Sequence, residues 1–233
     1  MNTLSEFQVD RQIFEAKFPL NYLFWDRAGK LWTALARSFP EMKFVLADPN
    51  HTQFEAGNFY LAAEPGTLRF TSKDGLPFDL FEKGAVNFYR IAVDVLEIEL
   101  FDRLGFRTIW IKEFPSLAKA AEAFCEFNLL SVPDGNAFGI KESPVQMETR
   151  LIWEGDKVGA IMGLHAEKRR VDPQIPWEVR SRLKAASSEQ YVLVLDVDYF
   201  TTMSLQRNQV DVGEWISSSR RVVQKALVKE VFK

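Results

Sequence analysis

The stretch Gln190-Tyr191-Val192-Leu193-Val194-Leu195-Asp196-Val197-Asp198-Tyr199-Phe200-Thr201-Thr202 sets Tyr191, Leu193, Leu195, Val197 and Tyr199 on one side and Asp196 and Asp198 on the other. That alternation is the signature of a strand with one buried face. Upstream, Val145–Trp153 and Val158–Lys168 are runs of about ten residues joined by the turn Glu154-Gly155-Asp156, which predicts a hairpin. Downstream, Asp211–Val231 carries Trp215, Ile216, Ser219, Val222, Val223, Ala226 and Leu227 as a stripe along about six helical turns. Three antiparallel strands leave a face that one such helix can cover, and the strands alone could not bury a core. Residues 139–233 therefore read as a three-stranded antiparallel sheet plus a long C-terminal helix.

The preceding residues, 1–138, form a Phe-rich half. Of the 20 Phe in the chain, 18 lie between Phe7 and Phe138, with Phe200 and Phe232 beyond. Phe7–Phe18 alternates as a strand, and Arg27–Phe39 has helical spacing with Asp26 as its cap and Pro40 as its stop. Met42–Leu46, Gln53–Ala63 and Thr67–Thr71 are separated by Asp48-Pro49-Asn50 and Glu64-Pro65-Gly66, which predicts an antiparallel meander. A long helix follows over Asp79–Phe101, then a strand over Phe106–Phe114 and a helix from the cap Ser116 to Leu130. The loop-rich stretch from Ser131 to Pro144 marks the boundary. The expected class is α+β, mostly antiparallel sheets in two halves, each packed by long amphipathic helices, with a SecB-like or helix-grip-like layout. Most of the Phe fall on predicted buried faces, so an exposed Phe in the first half would mark a partner surface.

Composition removes several functional classes. With 233 residues, 29 Lys+Arg against 32 Asp+Glu and a net charge of −3, the chain has no basic excess for phosphate backbones, and nucleic-acid binding is disfavoured. The clusters Lys168-Arg169-Arg170 and Arg220-Arg221 with Lys225 have acidic neighbours and read as solvated ends. Glu6, Asp10, Arg11, Glu15 and Lys17 interrupt the apolar runs near the start, so neither a signal peptide nor a membrane span is expected, and the chain reads as cytoplasmic. The single Cys125, beside Phe124 and Phe127, reads as a buried structural thiol.

The chemistry is concentrated in Leu195-Asp196-Val197-Asp198-Tyr199-Phe200. Two residues apart on a strand, Asp196 and Asp198 project side by side at about 7 Å between Cα atoms, close enough to share a Mg²⁺ with a bound phosphate. The string resembles the metal-binding strand of diguanylate cyclases, but the Gly-Gly-Asp/Glu turn of those enzymes is absent downstream. No Gly-rich phosphate loop is present either. The structural alternative is a polar sheet face, or an Asp pairing with Arg150 or Lys168 across the hairpin. His51 and His165, the 2 histidines, lack Cys or His partners at ligand spacing, which argues against zinc and against a Ser/His/Asp triad. Glu97 and Glu99, two apart on the predicted helix, diverge by about 200° and cannot act as a pair. No cofactor is expected.

From the long helix onwards the chain resembles a sporadically distributed prokaryotic family of uncharacterised activity, whose members carry a mid-chain R-x-G-L-R-Y-I-N strand and a C-terminal L-D-[IV]-D-x-[FY] strand before an amphipathic helix. The matching residues are Leu104-Gly105-Phe106-Arg107-Thr108-Ile109 and Leu195-Asp196-Val197-Asp198-Tyr199-Phe200, with Thr108 and Trp110 where the pattern has Tyr and Asn. The resemblance singles out Arg107 and Asp196; structurally, Arg107 suits an ion pair with a carboxylate between the two pieces. It also implies an accessory cytoplasmic protein, with a context beside phage-defence or toxin–antitoxin genes. The leading expectation is a non-catalytic protein-binding or assembly protein, chaperone-like, with a protein partner or self-association and with Arg107, Trp110, Asp196 and Asp198 as candidate binding residues. The alternatives are a binder of a hydrophobic small molecule or lipid, in a cavity lined by the Phe-rich half, and a Mg²⁺-dependent nucleotide or nucleic-acid enzyme using Asp196 and Asp198.

Overall fold

The computed structural model describes residues 3–48, 50–73, 75–127, 129, 147–171 and 188–232. Along the chain run β1 (Gln8–Lys17), α1 (Leu23–Ser38), β2 (Lys43–Asp48), β3 (His51–Ala56), β4 (Phe59–Glu64), β5 (Thr67–Ser72) and α2 (Phe78–Leu96). They are followed by β6 (Leu100–Phe101), β7 (Arg103–Phe114), α3 (Leu117–Cys125), β8 (Glu148–Glu154), β9 (Val158–Val171), β10 (Ser188–Thr201), β11 (Leu205–Gln206) and α4 (Val212–Ala226), which ends in a π-helical turn over Leu227–Val231.

Nine of the strands form one sheet in the order β2-β3-β4-β5-β1-β7-β10-β9-β8, and β11 pairs with β6. Each of these pairings is antiparallel. The class is α+β. The same layout occurs twice: a strand, a helix, an antiparallel meander whose last strand returns beside the first, and a closing helix. The first array runs from β1 to α2 and the second from β7 to α4. They join where β1 lies antiparallel to β7, with Phe14 opposite Phe106. The compositional boundary at residue 139 falls inside the second array, between α3 and β8, and the sheet is continuous from one half of the chain to the other.

The inward strand residues and the helices enclose two clusters on one face of this sheet. The first gathers Phe14, Phe54, Leu61, Phe70 and Phe106 under Leu31 and Leu35 of α1, Phe81, Phe88 and Ala92 of α2, and Ile216 of α4. The second gathers Trp110, Met162, Leu164, Leu193 and Leu195 under Ala120 and Phe124 of α3 and Val223 of α4. The closing helix thus docks on both clusters and on α2, rather than on its own three strands alone. Phe232 completes a ring trio with Phe7 and Phe127, at centroid distances of 5.6 and 5.4 Å.

Several local expectations are corrected. Helix α1 starts four residues before Arg27, with Tyr22 at the N-cap position, and the Asn21 side chain accepts the Leu23 N–H at 2.8 Å, so Asp26 falls inside the first turn. The run Gln53–Ala63 is two strands, since Gly57, at φ +56°, turns the chain there. Helix α2 stops at Leu96, where Glu97 enters the left-handed region (φ 51°) and Asn21 and Arg27 donate to the Leu96 and Val95 carbonyls at 2.8 Å. Cys125 is exposed, because the inward stripe of α3 is carried by Ala120, Ala121, Ala123 and Phe124. Ser116 caps α3 as expected, accepting the Lys119 N–H at 3.3 Å. The short amphipathic stretch Trp177–Ala186 lies outside the described residues. Among the described residues no helix is long and apolar enough to cross a membrane.

Candidate functional site

The face of the sheet opposite the two clusters is polar and carries a ladder of ion pairs. Strand alternation puts Arg69 of β5, Glu15 of β1, Arg103 of β7 and Asp198 of β10 on this side. Arg69 donates to Glu15 at 2.7 Å, Arg103 donates to the same carboxylate at 2.9 Å, and the second terminal nitrogen of Arg103 reaches Asp198 at 2.5 Å. Four strands are thereby tied by alternating charge. One register step along, Arg107 forks onto both oxygens of Asp196, with its Nε at 2.7 Å from Oδ1. Farther along the face, Arg169 of β9 reaches Asp10 of β1 at 3.2 Å, a link that crosses β7 and β10. Val192 and Val194 are buried on this same face.

Burial alone would raise the Glu15 carboxyl, but the hydrogen bond and charge of Arg69, with Lys17 and Arg103, bring it below the ordinary carboxylate range. Asp198 goes the other way: burial pushes it up against the pull of Arg103 and Arg107. The Asp196 hydrogen bond raises Arg107 despite its own desolvation.

Arg107, Asp196 and Asp198 line a recess of about 370 Å³ together with Glu148 and Arg150 of β8 and Ile161, Gly163 and His165 of β9. Among the described residues Glu148 and Arg150 have no ion-pair partner, and His165 sits 3.3 Å from Glu167. The paired aspartates do share a face, as their spacing requires. Their partners, however, are Arg107 and Arg103 on β7, not Arg150 or Lys168 on the hairpin side; Lys168 is taken by Glu189 at 2.7 Å. A cation between the aspartates would have to displace two guanidinium groups. No group of three or more metal-ligating side chains occurs among the described residues. Trp110 does not join the site. It lies on the opposite face, paired with Leu195, and is 5% exposed within the second cluster.

The sequence reading missed Glu15, Arg69 and Arg103. Their signal was available in part, as charged residues alternating with Phe14, Ala16, Leu68, Phe70 and Leu104, but the identity of the neighbouring strand was not. It also missed the sheet edges. On β2, Phe44, Val45 and Leu46 are 53%, 51% and 46% exposed, and on β8, Ile152 and Trp153 are 55% and 51% exposed. Phe44 is the one exposed Phe among the described residues, stacked on Trp32 at 3.8 Å.

Comparison with protein-family models and with curated proteins returns no match to this chain.

Proposed function

We propose that this chain is a non-catalytic binding or assembly protein, accessory or chaperone-like, that works in a prokaryotic cytoplasm by engaging another polypeptide through its sheet. The observation that carries this reading is that both terminal strands of the nine-stranded sheet present large apolar side chains to solvent: Phe44, Val45 and Leu46 at one end, Ile152 and Trp153 at the other. Sheet edges are ordinarily blunted by charge, Pro or short strands, because unpaired main-chain groups recruit another strand. Strand addition uses those groups for affinity and the alternate side chains for selectivity. The polar face supports the same reading from the chemical side. Its Asp196 and Asp198 carboxylates are held by Arg107 and Arg103 in an ion-pair ladder that ties the strands together.

The test is recovery of complexes from the native cells with the wild-type chain and with the Ile152→Lys, Trp153→Lys double variant, whose substituted positions are half exposed and leave the core untouched. A stoichiometric polypeptide retained by the wild type and lost from the variant supports the proposal. Identical recovery by both, or a Mg²⁺-dependent turnover of nucleotide abolished by Asp196→Asn with Asp198→Asn, contradicts it.

A further inference from the structure

We infer that β2 pairs edge to edge with β2 of a second copy of this chain, antiparallel and about a dyad at Leu46. Against β3, the residues Lys43, Phe44, Leu46, Ala47 and Asp48 occupy five successive ladder places, opposite Glu55, Phe54, Gln53, Thr52 and His51. Val45 is the extra residue of a bulge between Phe44 and Leu46. Leu46 is therefore the middle rung. A dyad through it sets Lys43 opposite Asp48 of the second copy at one end and Asp48 opposite Lys43 at the other. Opposite charges thus meet twice, while Phe44, Val45 and Leu46 fill the centre.

The faces also match. Lys43, Leu46 and Asp48 point to the polar side, whereas Phe44 lies on the side of the helices. A dyad perpendicular to the sheet leaves each set on its own side, so the polar faces of the two copies become continuous and the Phe44–Trp32 stack of each extends the apolar layer of the other. Lys43 is exposed and has no ion-pair partner among the described residues, so none of these competes for it. Such an isologous contact closes at two copies.

The opposite edge lacks this self-complementarity. On β8, seven unbroken rungs from Glu148 to Glu154 centre on Leu151, and the same operation would set Glu148 against Glu154 at both ends. Like charges directly opposite are destabilising. The two edges therefore differ in partner: β2 suits its own copy, and β8 has no strand beyond it among the described residues. The inference rests on the proposal above only in taking sheet edges as the binding surfaces.

The test is sedimentation velocity of the full chain from about 1 to about 200 µM, a range that spans affinities typical of small isologous contacts. The wild type is expected to form a dimer and nothing larger. Lys43→Asp and Asp48→Lys should each weaken dimerisation by about tenfold or more, since each sets like charges at both ends, and their equimolar mixture should restore it, since every end then pairs opposite charges. Asp48 also accepts the Asn50 and His51 N–H groups at 2.8 Å, so Leu46→Lys serves as a second variant that leaves this turn intact and should give a monomer. A wild type that stays monomeric at the highest concentration, polymers beyond the dimer, or a dimer unaffected by both Lys43→Asp and Leu46→Lys would overturn the inference. Failure of the mixture to restore a dimer, with both variants folded, would overturn the register. A monomer whose β8 variant still loses its polypeptide partner removes the dimer alone; a dimer with no β8-dependent partner removes the proposed function alone.

Discussion

Replacing Arg103 with methionine takes out the centre of the ladder, and the structure sets the size and pH dependence of the effect. Its guanidinium joins Glu15 at 2.9 Å and Asp198 at 2.5 Å and lies 4.5 Å from the Phe200 ring centroid. Glu15 retains Arg69, whereas Asp198 loses the one ion pair it has among the described residues. Removing one partner of a fully buried pair costs about 3–5 kcal/mol and of an exposed pair less than about 1. With both side chains 21% exposed, the loss falls between these, at about 2 kcal/mol, and the cation–π contact adds about 0.5. The pH dependence follows from Asp198, whose folded carboxyl already sits above its unfolded value. The contribution of such a group is complete below the unfolded value and is lost as pH rises through the folded one. Loss of Arg103 lifts the folded value further, so the deficit should be larger at pH 8 than at pH 5. Urea unfolding of the wild type, Arg103→Met, Asp198→Asn and the double variant at both pH values measures this. In the Asp198→Asn background the arginine substitution should cost less than half as much. A cost below about 0.5 kcal/mol at pH 8, or an equal cost in both backgrounds, would refute the reasoning.

Trp110→Ala should destabilise by about 3–5 kcal/mol in the same assay while leaving polypeptide binding intact, because the indole belongs to the core. Tyr89→Phe should be neutral or stabilising by up to about 1 kcal/mol, since the buried hydroxyl has no hydrogen-bond partner among the described residues and burial has pushed its pKa up. Cys125 should react with a thiol reagent in the native protein at close to the rate of the unfolded chain, as its exposure requires.

The strands were legible where alternation is uninterrupted. Leu193, Leu195 and Val197 are buried and Asp196 and Asp198 lie on the other face, as their spacing dictates. Cap chemistry placed the start of α3 at Ser116 but misplaced α1, where Asn21, two residues before the helix, accepts the Leu23 N–H and Asp26 falls inside the first turn. What stayed hidden is adjacency. Period-two patterning fixes which face a residue takes but not which strand lies beside it, so the hairpin's Arg150 and Lys168 stood as the candidate partners of an Asp when β7 supplies the partners of both. The pairing of β1 with β7, and with it the repeated layout, leaves no repeat in the residues, since packing asks only for apolar volume on one face. Arg107 and Asp196 were each marked in the sequence, but the carboxylate that pairs with Arg107 was left open, and the register of β7 against β10 makes it Asp196. The edge at β2 was reachable in principle: Phe44-Val45-Leu46 offers apolar groups to both sides of a short strand, and the exposed Phe there is the kind of exception that composition had marked as informative.

Backbone amide exchange along β2 and β8 tests the use of the sheet edges most directly. Across a concentration series of the wild-type chain, the amides within 43–48 that face away from β3 should become slower to exchange as concentration rises, while those within 148–154 that face away from β9 should stay fast until the polypeptide partner is added and slow only then. Exchange on both strands that is unchanged by concentration and by the molecules recovered from native cells would contradict a protein that works through its sheet edges.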